Sequence, residues 1–306
     1  MEHGNANPGP KMRASRTEEM ESLKGADHSF EKVAVIMPAW NAARTIGDSI
    51  TSALLQSHQN IELIISDDGS QDDTVEIAET HAKHDPRITV IRNQESTGPA
   101  SARNRALEAG TGIRWIAFLD SDDIWHPDKL RQQLMCAYEH DAGIIYTSFW
   151  RMNNDMTRFG KPVSVPSSLA YGQLLKNTAI ATSTVLLDTQ KTGDVRMTPG
   201  QGHEDFELWT RLMRAGDIAR GIKHPLMCYR IADGSVSSKR TRMSRHTWDI
   251  IRTQPDSTSL KSTWRYANYA FRAAWKHWHS RPRFRQDMGR PQPFDMLKRI
   301  TKASDH

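Results

Sequence analysis

The sequence predicts an α/β protein built on a doubly wound, mostly parallel sheet. Short β-branched apolar runs recur along it, and several are separated by apolar residues at helical spacing. Polar residues crowd the ends of three of those runs. The runs are Val33–Met37, Ile61–Ser66, Ile88–Arg92, Trp115–Leu119 and Ile144–Phe149. They read as strands buried on both faces, as helices on either side of a parallel sheet require.

Between the strands, Ile46, Ile50, Ala53 and Leu54 follow i, i+4, i+7, i+8, and Leu130, Leu134 and Ala137 follow i, i+4, i+7. Pro99 opens a helix over 99–109, because its fixed φ and missing N–H suit a first turn. After Phe149 a polar stretch runs to Pro166. A helix near Leu169–Lys176, a strand at Ser183–Leu187 and an amphipathic helix over Asp205–Ala215, stopped by Gly216, are expected next. Residues 1–30 read as a flexible polar tail, 31–238 as the folded body, and 239–306 as a basic, aromatic, helical extension.

Of the 306 residues, 37% are hydrophobic and 25% charged, ordinary values for a soluble protein with room for a proper core. No apolar run approaches the roughly 20 residues of a membrane-spanning helix. The N-terminal stretch lacks the apolar segment of a secretory signal. Two cysteines, Cys136 and Cys228, make neither a disulfide framework nor a zinc cluster, so a reducing cytoplasmic setting is expected. The net charge of +5 is unevenly spread. From Lys239 onward there are 16 Lys and Arg against 5 Asp and Glu, a balance of +11, which leaves the rest at −6. A basic extension on an acidic body suggests a polyanionic partner: phospholipid headgroups, a lipid pyrophosphate or nucleic acid.

In open α/β sheets ligands gather at the carboxyl ends of the strands. Here the first strand runs into Pro38, Ala39, Trp40 and Asn41, the second into Asp67-Asp68-Gly69-Ser70, and the fourth into Asp120-Ser121-Asp122-Asp123. Any one of these is explained by turn and cap chemistry; all three together point to one cleft. Asp120 and Asp122, at i and i+2 on an extended segment, face the same way. Two hard carboxylates beside a diphosphate describe a Mg2+ or Mn2+ site, with Asp123 alternating away toward the turn before Pro127.

Asp68 suits a nucleotide base, since a carboxylate accepts from a ring N–H; Asp67 is the alternative that serves the turn instead. Gly98 permits close backbone approach at the start of the next helix. Arg103 either meets the donor or clamps the strand-end acids. In His203-Glu204-Asp205 the acids either offset the helix dipole or supply a general base. Asp205 is the residue chosen as base, with Glu204 orienting the acceptor.

The segments VAVIMPAWNA, IELIISDDGSQDDT, GPASARNRAL, AFLDSDDIWHPDKL and HEDFELW, in that order over about Lys32 to Ser238, resemble family 2 glycosyltransferases of the GT-A fold. NTAIATSTVLL through YRIADGSVSSKRTR resembles the branch that builds teichuronic acids, capsules and O-antigens. The resemblance implies that Asp68 contacts the base, that Asp120 and Asp122 hold ribose, diphosphate and metal, that Asp205 is the base, and that Arg230 contacts the diphosphate. Pro38, Ala39, Trp40, Asn41, Gly98 and Arg103 complete the expected donor site. The family more often has Gly where His203 stands, so His203 inherits no role.

The implied reaction is inverting transfer from a nucleotide-diphosphate sugar, with UDP the expected nucleotide, to a glycan or lipid-linked glycan acceptor. A sugar-1-phosphate nucleotidyltransferase would need a Gly-rich loop after the first strand, and PAWNAART has none. An RNA-binding reading finds no supporting motif, so no nucleic-acid partner is expected. In the extension, Trp264, Phe271, Trp275 and Trp278 form one helical stripe beside Arg265, Arg272 and Lys276. That stripe fits peripheral contact with an anionic membrane at its cytoplasmic face, and equally a helix packed on the body.

Overall fold

The computed structural model describes residues 31–176, 180–200, 203–214, 216, 218–231, 247–254 and 258–279, the last nine by their backbone alone. The tail expected over 1–30 and the extension beyond 279 lie outside the described residues.

The first four strands are Val33–Ala39 (β1), Ile61–Asp68 (β2), Ile88–Asn93 (β3) and Trp115–Phe118 (β4). They lie parallel in the order β3-β2-β1-β4, with Val33 opposite both Ile61 and Trp115. Strand alternation sorts the apolar side chains onto two faces. Val33, Val35 and Met37 join Leu63, Ile65 and Ala117 in one core with Ile46, Ile50 and Ala53 of the helix Ile46–Leu54 (α1) and Ala78 of Thr74–His84 (α2). Ala34 and Ile36 join Ile64, Ile116 and Phe118 in a second core with Ala100, Ala106 and Leu107 of Pro99–Ala109 (α3). Each fully buried branched side chain contributes about 1.5–3 kcal/mol, so register is strongly fixed: a one-residue slip would exchange the two faces.

The second half of the sheet is mixed. Beyond β4 come Ile124–Trp125 (β5), the helix Lys129–His140 (α4), Ile144–Met152 (β6), Ser168–Leu169 (β7) and the short helix Tyr171–Leu174 (α5). Then follow Leu186–Asp188 (β8), the turn of helix Thr189–Thr192 (α6), Glu204–Met213 (α7) and Ala219–Arg230 (β9). The sheet continues β4-β8-β6-β9-β5, with β7 on β9. β8 is antiparallel to β4 and β6, and β6 is parallel to β9. The strand expected at Ser183–Leu187 is therefore corrected: Thr182–Thr184 forms a turn of 3-10 helix and extension begins at Leu186. Its hydroxyl-rich sequence closes local bonds, Thr184 N–H and Oγ1 both donating to Ala181 O.

At the end of the sheet opposite the polar strand termini, Arg114 forks onto the fully buried Asp188 at 2.9 and 2.7 Å. Glu31 accepts from Trp115 Nε1 at 3.0 Å and from Tyr138. On the C-terminal side, the helical segment 247–252 places Ile250 in the core, and Gln254 Oε1 accepts from Tyr171 Oη at 2.7 Å and Arg214 Nη2 at 2.8 Å. The last helix is Ser259–His279 (α8). Of the expected stripe, Trp264 has a described side chain, and it is 59% exposed, as Leu260 is 86% exposed. Among the described residues no helix is long and apolar enough to cross a membrane.

Candidate functional site

The carboxyl ends of β1, β2 and β4 lie side by side along one edge of the sheet. Pro38 and Ala39 are buried in register with Ser66 and Asp67, and the chain then turns out to an exposed Trp40. Asn41 takes a left-handed conformation (φ 48°). Its N–H donates to Ser70 Oγ at 2.9 Å and its Oδ1 accepts from Gln71 N at 2.8 Å, latching the first loop to the second.

Asp67 and Asp68 divide their roles. Asp67 Oδ2 accepts from its own turn, Gly69 N and Ser70 N, both at 3.0 Å. Asp68 reaches across to the loop before α3, accepting from Ser96 Oγ at 2.8 Å, Thr97 N at 2.9 Å, Gly98 N at 2.8 Å and Arg105 Nη2 at 2.6 Å. Burial works against its charge, but Arg105, Ser96 and the two backbone donors outweigh it and pull the carboxyl down to about 2. Gly98 sits at φ 94° with open space where a Cβ would stand, so the glycine answers to backbone conformation there.

After β4 the chain turns instead of staying extended as expected, Asp123 N–H donating to Asp120 O at 3.1 Å. The three aspartates diverge, with Asp120 and Asp123 rather than Asp122 lining the cleft. Asp120 N–H donates to Ser183 Oγ at 3.0 Å, and its carboxylate pairs with the buried Arg103. Burial opposes the charge of Arg103, but Asp120, Asp205 and Glu204 together hold the guanidinium above its usual value. Of the two possibilities for Arg103 the structure shows the clamp on a strand-end acid, and the residue also lines the cleft. Asp122 keeps solvent access yet lies low among protein atoms. Desolvation, then the charge of Asp120, push its carboxyl up to about 6. Asp123 departs from the sequence reading. It is buried and accepts from Arg230 N at 3.1 Å, and desolvation followed by Asp122 and Asp120 holds it well above the carboxylate range. Its tie is to β9 rather than to the turn before Pro127. Arg230 is also buried: Nε donates to Asp122 O at 2.8 Å, Nη2 to Asp48 Oδ2 at 3.3 Å, and Nη1 to Asn154 O. Its guanidinium thereby grips the backbone of the Asp120–Asp123 turn.

The other wall is the start of α7. His203 adopts φ 61°, Glu204 and Asp205 form the first turn, and Phe206 and Trp209 anchor the helix in the core. Asp205 Oδ1 accepts from Phe206 N at 2.7 Å and Oδ2 from Thr182 Oγ1 at 3.1 Å. A cleft of about 440 Å³ runs between the walls. Arg103, Asp120, Asp123, Thr182, Ser183, Glu204 and Asp205 line it, with Phe149, Arg151, Trp209 and Tyr229 among the rest. The structure thus gathers Arg103, Asp120, Glu204 and Asp205 into one cavity. Trp40, Asn41, Asp68 and Gly98 stand on the strand-end rim outside its lining, as do Asp122 and Arg230.

The carboxylates fit a divalent cation. Their oxygens are hard donors, and the desolvation and the repulsion from Asp120 that raise Asp122 are what a cation would offset. Among the described residues no group of three or more His, Cys, Asp or Glu is placed to hold a metal, so the remaining ligands would be phosphate oxygens and water, as is usual for Mg2+. Sequence reasoning missed Arg105, Thr182 and Ser183. Arg105 differs from Arg103 by no local signal. Thr182 lay just ahead of the expected strand and Ser183 was read as its first residue.

A model of glycosyl transferase family 2 matches residues 34–188. TuaG of Bacillus subtilis, assigned to teichuronic acid biosynthesis as a glycosyltransferase, is 38% identical over 80% of this chain and 96% of its own. WfgD of Escherichia coli, named a UDP-Glc:alpha-D-GlcNAc-diphosphoundecaprenol beta-1,3-glucosyltransferase, is 36% identical over 72% of this chain and 85% of its own. Among solved structures, S. aureus TarS (residues 1–349) in complex with UDP-GlcNAc superposes with a TM-score of 0.62 at 18% identity, over 82% of this chain and 74% of that one. The Pyrobaculum calidifontis mannosyltransferase in complex with GDP-Man and Mn2+ gives 0.57 at 16%, over 95% and 87%. At those identities the likeness speaks for the fold, and the GT-A architecture is borne out.

Proposed function

The chain belongs to glycosyl transferase family 2, and from that premise we propose that it transfers a sugar, with inversion, from a UDP-sugar to a lipid-linked precursor of a cell-surface polysaccharide. The observation that carries this is the shared cleft: Asp205, at the start of α7, faces the same cavity as Asp120 and Arg103. A carboxylate at one wall and a cation-ready acidic turn at the other are what a direct displacement requires. The UDP-sugar donor and lipid-diphosphate acceptor in the name of WfgD, and the cell-wall polymer in the name of TuaG, support the substrate classes.

In this reading Asp205 takes the proton from an acceptor hydroxyl as that oxygen bonds to the anomeric carbon. The bond from the anomeric carbon to the donor phosphate breaks with its electron pair on the diphosphate, which inverts the centre. A divalent cation bound at Asp120 and Asp122 would neutralise charge on the diphosphate. Arg103 steadies Asp120, and Arg230 fixes the backbone of the turn that carries both acids. Asp68 holds the 96–98 loop at the donor rim, and Trp40 presents an exposed ring beside it. No second carboxylic acid is required to protonate the leaving group, which separates the site from a glycosidase.

The basic extension brings the enzyme to the cytoplasmic face of the membrane where such an acceptor lies. What supports this is that α8 carries Lys261, Arg265, Arg272 and Lys276 and no acid, while Leu260 and Trp264 stand exposed.

The test is to incubate the full chain with Mn2+, a panel of UDP- and GDP-sugars and a short-chain N-acetylglucosaminyl diphospholipid, reading products by mass spectrometry and anomeric configuration by NMR. Release of UDP with an inverted glycosidic bond is expected. Neither transfer nor donor hydrolysis with any pair would refute the reading.

A further inference from the structure

The Thr182–Thr184 turn stands between the two halves of the site. It is a rigid piece of backbone. Ser183 O accepts from Trp125 Nε1 at 2.8 Å and Thr184 O from Gln133 Nε2 at 2.9 Å, so β5 and α4 hold it from behind. Two consecutive side chains then reach forward to different partners. Thr182 Oγ1 donates to Asp205 Oδ2 at 3.1 Å, and Ser183 Oγ accepts from Asp120 N at 3.0 Å. Thr182, Ser183 and Thr184 are all buried, and the two bonds are part-buried at the wall of the cleft.

We propose that Thr182 is the positioning residue for Asp205, and that this turn sets the base in register with the donor-holding Asp120 turn; the proposal rests on Asp205 being the base.

A hydroxyl has one proton to give, and in the bond from Thr182 it goes to Asp205. Asp205 Oδ1 is held by Phe206 N of its own helix, which fixes that oxygen relative to α7 alone. The Thr182 bond is the one that ties the carboxylate to the sheet on which Asp120 sits. Among the described residues each oxygen then has one donor and keeps a lone pair for the acceptor proton. Without Thr182 the carboxylate keeps its bond from Phe206 N alone, and Oδ2 loses its anchor to the sheet side of the cleft. An ångström of misplacement at a reacting group costs on the order of a hundredfold in rate. A structural threonine would give the same burial but would not act on turnover separately from donor binding.

The experiment compares Thr182→Val, Thr182→Ser and Asp205→Asn in the full chain, using the donor and acceptor that the wild type turns over in the panel above. Affinity for UDP with Mn2+ is measured by calorimetry alongside. Thr182→Val is expected to lower kcat by roughly tenfold to a hundredfold, the range for losing a bond to a charged group, with donor KM and UDP affinity unchanged. Thr182→Ser, which keeps the hydroxyl, is expected within about twofold of wild type. If Thr182→Val melts early, Thr182→Ala carries the same expectation. Wild-type turnover in the hydroxyl-less variant beside an inactive Asp205→Asn overturns the proposal, and so does a Thr182→Ser as impaired as Thr182→Val. Full activity in Asp205→Asn overturns the base assignment itself, a distinct result.

Discussion

Replacing Asp68 by Asn should weaken the fold in a way that depends on pH. Asp68 is buried at the end of β2 and receives hydrogen bonds from Ser96, Thr97, Gly98 and Arg105, which hold its carboxyl at about 2 against an ordinary 3.8. A shift of that size corresponds to roughly 2.5 kcal/mol at neutral pH, and solvent screening at the rim, where Arg105 is partly exposed, reduces it to about 1–2 kcal/mol. The sign follows from the depressed value. The stabilisation is fully present above the unfolded carboxyl's range near 4 and is lost as pH falls through 2, with about half remaining at pH 3. An amide gives the same shape without the charge and turns an N–H toward backbone donors. Urea unfolding of wild type and Asp68→Asn should therefore differ by about 1–2 kcal/mol at pH 7, with the gap narrowing toward pH 3. A gap that stays constant with pH would refute the assignment of the stabilisation to the ionised carboxylate.

Asp122→Ala should abolish Mn2+-dependent binding of UDP by calorimetry while leaving the melting temperature intact. In the wild type that binding should weaken as pH falls below about 6, where Asp122 takes up a proton that competes with the cation. Asp205→Asn should spare UDP affinity and cut turnover by roughly two to four orders of magnitude, and near-normal transfer would move the base role to Glu204. Asp188→Asn breaks a buried pair with Arg114 and should cost about 2–4 kcal/mol in urea unfolding with the cleft residues untouched. The full chain should co-sediment with anionic vesicles in low salt and be released by high salt, and loss of that binding on truncation after Gln254, which keeps the core residues Ile250 and Ile251, would place it in the last helix and beyond; binding to neutral vesicles alone would contradict the electrostatic account.

Much of the first half was legible in the sequence because its signals are local. Apolar runs at strand length, helices with 3.6-residue faces and polar strand ends follow from nearest-neighbour chemistry, so β1 to β4, α1 and α3 stand where the pattern of Val33 to Phe118 puts them. The Asp120–Asp122 pair and Asp205 were likewise visible, since carboxylates at a strand end and at a helix start declare themselves by residue type. Tertiary structure alone decided which acid does what. Asp67 and Asp68 are identical side chains one residue apart. Strand alternation turns one into its own loop and the other across to Ser96, Thr97 and Gly98, a choice fixed by where β3 and α3 bring that loop. Asp123 was read as part of a turn because nothing near it in sequence announces β9, whose Arg230 backbone meets it from the far end of the body. Thr182 and Ser183 were invisible as site residues for the same reason. A hydroxyl has no pattern of its own, and its meaning comes from the carboxylate and the backbone N–H that the folded sheet carries to within a hydrogen bond of it.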